Sequence, residues 1–263
     1  MTTLAAIAFV FVMWSVSTAV IFYLDSLPTR TFKYSMAAAT LVLAICAVLI
    51  WQLRSDTSTL AIATSFAAAL LTWGWTEMAL YMGYITGPRK QACAAGCSGV
   101  KHFGHAIGAN LWHEILVIAF ALAIFWSANL TAFWCFTILW LMHLSARLNV
   151  FLGVRNVSAE FVPDHMQVLK SFLRRRNMNA LFPFSCAVLI GMAVWLMSLP
   201  QSFEITMAAT LTIIGLLEHV LLMLPLPTEK IWTWTLSKKT PEPSNDQPKN
   251  NNDHHHTAVG ALS

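Results

Sequence analysis

Seven side chains able to carry charge or pass a proton stand inside long apolar stretches: Glu77, His113, Glu114, His143, Arg147, Glu218 and His219. Two pairs are adjacent in sequence, His113-Glu114 and Glu218-His219. A lone charge at the centre of a membrane helix costs about 2.5–3.5 kcal/mol on insertion scales, so such groups are paired, neutral or functional. Carboxylates and imidazoles together can hold a metal, move a proton or hydrogen-bond a ligand. Metal catalysis finds no matching motif here. In HEILV a valine stands where the zinc-protease pattern H-E-x-x-H needs its second histidine. The Glu-x-x-His pairs of di-iron bundles do not occur. A membrane enzyme acting on a lipid-soluble substrate and a proton or ion path stay open as alternatives, and neither has a motif of its own.

A tetrapyrrole is a third chemistry. Ala109 lies four residues before His113, and Gly215 four before His219. Positions i and i+4 share a helix face. A small residue there leaves room for a flat macrocycle whose central metal the imidazole ligates, as antenna polypeptides hold bacteriochlorophyll. The plainer reading is a helix–helix hydrogen bond from each histidine, because small residues are common in membrane helices. The spacing Cys93-x-x-x-Cys97-x-x-x-x-His102-x-x-His105 has zinc-type ligands, but the gap between the pairs is short for a finger, and an ordinary loop is the expected reading. Gly83-Tyr-Ile-Thr-Gly87 reads as helix packing or a helix end. Cys46, Cys135 and Cys186 fall in apolar segments as small core residues, so no disulfide framework is expected.

These residues need helices to place them. About 20 apolar residues cross some 30 Å of hydrocarbon. Seven stretches qualify: 4–24, 35–53, 58–84, 104–126, 130–150, 179–199 and 203–225. The expected fold is all-α, a polytopic membrane helical bundle of about seven transmembrane helices. At about 1.5 Å per residue, Glu77, His113, His143 and Glu218 come out at similar depth, one polar layer drawn from four helices. Arg54 is the one basic residue on the side of the N-terminus; the other fifteen of the sixteen Lys and Arg fall on the opposite side. That bias predicts a periplasmic N-terminus and a cytoplasmic C-terminus. The first stretch has no basic residue before it, so it is expected to be a retained helix and no signal peptide.

The chain has 263 residues, 57% hydrophobic and 11% charged. Soluble domains carry about 25% charged residues, so composition alone excludes that class. The net charge of +4 is sorted by membrane side and predicts a lipid bilayer as partner and no nucleic acid. Residues 1–236 form the expected transmembrane domain, with a cytoplasmic amphipathic segment at 151–178. There Met166, Leu169, Phe172 and Leu173 recur at helical spacing after Pro163, and Arg174 to Arg176 close the run near anionic headgroups. Packing of that segment on the bundle's own loops is the alternative. Residues 237–263 are polar, Pro- and Asn-rich, and are expected to form a disordered cytoplasmic tail.

Three blocks carry a resemblance. WGWTEMALYMGYITGPRK, the Trp112-His113-Glu114 element, and LSARLNVFLGVRNVSAEFVPDHMQVLKSF followed by NALFPFS resemble the photosynthetic complex assembly protein 2 family, often called PuhE. The likeness covers about residues 70–186. It implies a multi-helix inner-membrane protein (cytoplasmic or intracytoplasmic) of phototrophic purple bacteria, encoded near the reaction-centre H subunit. It implies a factor that assembles reaction-centre and light-harvesting 1 complexes and handles bacteriochlorophyll or a precursor, an assembly role more than an enzymatic one. Implied partners are reaction-centre and light-harvesting 1 polypeptides and other assembly factors. Glu77, His113, Glu114, Arg147 and Asn149 lie within matching blocks and carry over as site candidates beside Glu218 and His219. Where family members often read His-His-Glu, this chain reads Trp112-His113-Glu114.

Overall fold

The structure, a computed structural model, describes residues 3–94, 97, 99–156 and 167–224. Helix α1 runs over Thr3–Ser26, α2 over Phe32–Gln52, α3 over Thr59–Tyr81 and α4 over Gly99–Trp126. Helix α5 spans Leu130–Leu152, α6 is the single turn Gln167–Lys170, and α7 and α8 span Leu181–Ser198 and Phe203–Leu221. All but α6 are long and apolar enough to cross a membrane, and they follow the seven expected stretches. The protein is a multi-pass helical bundle.

Helix starts are set locally. Ser58, Asn129 and Ser202 accept the Ala61, Ala132 and Ile205 backbone N–H groups, capping α3, α5 and α8. Asp56 accepts the Ser58 backbone N–H at 2.8 Å, and that bond holds its carboxyl below the usual carboxylate range. Two ends depart from the sequence reading. Helix α3 stops at Tyr81 because the chain turns through Gly83 at φ +80°. Helix α4 starts at Gly99, earlier than the expected 104, which places His102 and His105 on its first turns.

The segment 151–178 also differs. Residues 157–166 lie outside the described residues, as do the tail 237–263 and its expected disorder. Helix α6 ends at Lys170, and the chain then extends so that Val154 N–H donates to Arg174 O and Arg176 N–H to Val154 O. The backbone pairing at Val154 replaces the helical bonds that a longer amphipathic helix needs. Phe172 is buried and packs on His102, so this stretch covers the bundle's own loop.

Helix α3 is the axis of the bundle, touching α1, α2, α4, α5 and α8, with Phe66, Trp73 and Leu80 buried. Exposed Phe11 on α1, Leu41 and Trp51 on α2, and Phe184 and Trp195 on α7 give the outer faces an apolar surface suited to lipid. Helices in lipid gain little from apolar contact with one another, so polar ties matter more than in water. One such tie sits at the end remote from the basic loops. Asn129 Nδ2 donates to Ile50 O at 3.0 Å and to Ser65 Oγ at 2.8 Å while its Oδ1 caps α5, binding α2, α3 and α5 together. Asn129→Ala removes the cap and two buried bonds. We expect a loss of about 2–3 kcal/mol in reversible unfolding from detergent micelles.

Candidate functional site

The expected single polar layer resolves into two linked clusters and a chamber. Helix α3 places Glu77 between two imidazoles. Its Oε1 is 3.6 Å from His113 Nε2 on α4, and its Oε2 is 3.4 Å from His143 Nε2 on α5. Glu77 and His113 are buried. Glu77 Oε1 and His143 Nε2 have no hydrogen-bond partner despite being shut off from solvent. One helical position on, Glu114 turns away from this group toward α5. Arg147 Nη1 meets Glu114 Oε1 at 2.5 Å, and Trp140 Nε1 donates to Glu114 Oε2 at 3.4 Å. The roughly 100° between neighbouring residues on a helix sends His113 and Glu114 to different partners.

The second cluster joins α5, α7 and α8. His219 Nδ1 lies 2.7 Å from Gly215 O and Nε2 lies 3.0 Å from Ser145 Oγ. A carbonyl only accepts, so Nδ1 carries the proton and Nε2 accepts from the Ser145 hydroxyl. Ser185 Oγ is 3.0 Å from Ser145 Oγ and accepts from Asn149 Nδ2 at 3.0 Å. The bonds thus run in one direction from the Asn149 amide through two hydroxyls to His219. Asn179 Nδ2 donates to the Asn149 and Gly153 carbonyls while its Oδ1 caps α7 at Phe182. Ser145→Ala strands one nitrogen of a fully buried ring. We expect it to cost about 1–3 kcal/mol in the same unfolding experiment.

Glu218 does not join its neighbour His219. It lines a chamber of about 230 Å³ between α1, α3, α5 and α8, together with Glu77, His143, Tyr81, Trp73 and Trp14. The spaces that the sequence left open for a flat ring are occupied. A Cβ on Gly215 would fall 2.3 Å from Met142 Cε, so Met142 fills the slot beside His219. Beside His113, the connection after α3 lies along α4: His113 N–H donates to Thr86 O at 3.0 Å and Arg89 N–H to Gly108 O at 3.1 Å. Sequence reasoning placed His143 at the right depth but left it out of the site candidates. It also missed Trp140, Ser145, Ser185 and Asn179. The quoted NALFPFS block holds two of these, and helical phase from Asn149 back to Ser145 gives a third.

Residues 1–243 match a family model described as a protein of unknown function, DUF3623. The chain belongs to that family. A relative from Rhodobacter capsulatus, described as an uncharacterized 30.4 kDa protein in the puhA 5′ region, is 33% identical over 192 residues, which covers 69% of this chain and 70% of the relative. No solved structure matches the chain. Glu77, His113, His143 and the Glu114–Arg147 pair all lie within the matched span of this DUF3623 chain.

Proposed function

We propose that this protein is an assembly factor for photosynthetic reaction-centre and light-harvesting 1 complexes, and that it handles bacteriochlorophyll or a precursor while doing so. The observation that carries the reading is the chamber wall formed by Glu77 and His143. Burying polar atoms without partners costs about 1–3 kcal/mol each. Glu77 Oε1 and His143 Nε2 make no hydrogen bond and meet their ionic partners only at 3.6 and 3.4 Å, and both residues line the chamber, so a small side-chain rotation offers them to a ligand there. The sequence resemblance and the relative's place in the puhA 5′ region support the photosynthetic context. Pockets that take drug-sized ligands measure about 300–1,000 Å³, so a chamber of about 230 Å³ takes an edge of a macrocycle and not the whole ring. In this reading His143 faces the metal or a ring carbonyl, Glu77 hydrogen-bonds a polar substituent, and Trp14 and Trp73 flank it.

The protein sits in the inner membrane, with the basic end of the bundle cytoplasmic by the distribution of Lys and Arg. Its partners are reaction-centre and light-harvesting 1 polypeptides and other assembly factors, met through the exposed apolar faces of α2 and α7.

The test uses a phototrophic host with the gene deleted and restored. Deletion is expected to lower assembled reaction-centre–light-harvesting 1 absorbance per cell while total pigment synthesis continues. The protein purified in mild detergent is expected to carry a red-shifted bacteriochlorophyll band. Glu77→Gln and His143→Ala should each remove that band, whereas His219→Ala, whose ring nitrogens are already engaged, should spare it. Unchanged complex levels after deletion sink the assembly role. A colourless protein from a pigment-replete host sinks the pigment role.

A further inference from the structure

The loop that leads into α4, together with the first turns of that helix, brings four metal-type ligands together. His102 Nδ1 is 3.2 Å from Cys93 Sγ. His105 Nδ1 is 3.2 Å from the same sulfur and 3.5 Å from Cys97 Sγ. The ligand atoms of Cys93, Cys97 and His102 all lie within 4.8 Å of one another. Zinc in a tetrahedron sits about 2.3 Å from sulfur and about 2.0 Å from nitrogen, which sets N···S edges near 3.5 Å. The three N···S separations are close to those edges; Cys93, Cys97 and His102 form the compact group, and His105 joins it through its contacts with the two sulfurs. We propose that Cys93, Cys97, His102 and His105 bind one zinc ion in a closed, structural Cys₂His₂ site.

The surroundings fit the ion. Positions i and i+3 on a helix share a face, so His102 and His105 project to the same side of α4. Gly99 takes φ +61°, a conformation that lets the chain turn sharply between Cys97 and the helix. His102 is buried, stacked on Phe151 at 5.0 Å and packed on Phe172, so its ring has one orientation. Cys93 N–H donates to Ser171 Oγ at 3.2 Å, and Arg174 reaches Cys97 O. Two thiolates and two neutral imidazoles balance the charge of the ion, and binding releases the two thiol protons to solvent. Four protein ligands leave no open position, so the site fastens structure and does not catalyse. What it fastens is the α3–α4 connection to the stretch around Ser171 and Arg174. The short gap between the cysteine and histidine pairs is no obstacle, because a helix start does the work that a finger's longer linker does elsewhere.

This inference stands apart from the proposed function, and its test needs no pigment. The full chain, purified without a polyhistidine tag, is analysed for metals. About one zinc per chain that resists dialysis against a weak chelator is expected. X-ray absorption should give two sulfur neighbours at about 2.3 Å and two nitrogen neighbours at about 2.0 Å. Cobalt exchanged into the site should give intense visible bands of a tetrahedral thiolate complex. The Cys93→Ser/Cys97→Ser variant should lose zinc affinity by more than the ~10–100-fold that changes outside the ligand set cause. Cys186→Ser and a variant with His254, His255 and His256 changed to Ala should keep it. If the double cysteine variant fails to fold, the absorption spectrum of the unaltered chain decides. A Cys93–Cys97 disulfide, an iron–sulfur cluster, zinc lost with the tail histidines, or a metal-free chain with reduced thiols overturns the proposal.

Discussion

Gly87→Ala is expected to unseat the α3–α4 connection from α4 at a cost of about 3 kcal/mol. A Cβ on Gly87 would fall 2.1 Å from Gly108 O, 2.6 Å from Ala109 C and 2.8 Å from Asn110 N. These are backbone atoms of a helix and cannot rotate away, so either the loop or the helix must move. Overpacking alone costs about 1–3 kcal/mol. The shift would also stretch the flanking bonds from His113 N–H to Thr86 O and from Arg89 N–H to Gly108 O, each worth about 1 kcal/mol. Gly104 is the internal control. Nothing lies within 4 Å of a Cβ there, and alanine in the middle of a helix gains about 0.5–1 kcal/mol over glycine. Reversible unfolding of both variants in mixed micelles checks the contrast. If Gly87→Ala unfolds like the unaltered protein, the close approach of loop and helix is wrong. The same variant should loosen zinc, since Cys93 sits a few residues along the displaced connection.

The spans were legible because a membrane helix is written as a long apolar run with its caps at the edges. Ser58, Asn129 and Ser202 mark three helix starts that hydropathy alone blurs. The fate of 167–176 was not legible. Leu169, Phe172 and Leu173 have helical spacing, but the competing partner is Val154, whose backbone pairing no local pattern announces. The polar residues illustrate the same limit. Depth along each helix was readable, and it put Glu77, His113 and His143 together correctly. Facing was not: nothing in the sequence says that His219 bonds Ser145 while Glu218, one residue before it, lines the chamber. Small-x-x-x-His spacing tells only that a face is narrow. Met142 and the Thr86–Gly87 connection are what occupy the room, and both come from elsewhere in the chain.

Helix α5 takes part in most of the polar ties among the described residues; that of Glu77 with His113, between α3 and α4, is made without it. Helix α5 begins at the Asn129 cap, meets Glu77 through His143, meets Glu114 through Arg147, and reaches α7 and α8 through Ser145 and Asn149. Helix α4, by contrast, exposes much of its surface, from Ile115 to Trp126. A helix with a narrow buried face depends on its polar anchors to stay in register. The Glu114–Arg147 pair is the shortest of them.

Removing one partner of that pair should therefore give an asymmetric result. Breaking a buried ion pair from one side costs about 3–5 kcal/mol, and these two side chains remain 27% and 23% exposed, which favours the lower end. Arg147→Met leaves Glu114 with only the 3.4 Å bond from Trp140 Nε1 and no counter-charge, and we expect about 3 kcal/mol of destabilisation. Glu114→Gln should cost about 1 kcal/mol, because Arg147 lies near the end of α5 and its long side chain can extend to the headgroup region. The double variant Glu114→Gln/Arg147→Met carries no stranded charge and should be no less stable than Arg147→Met alone, a coupling of about 1–3 kcal/mol. Strictly additive losses would mean that the two groups do not interact across the α4–α5 groove. A fall in stability with Glu114→Gln equal to that with Arg147→Met would mean that the arginine is held too rigidly to find water, and the anchor would then be the guanidinium and not the carboxylate.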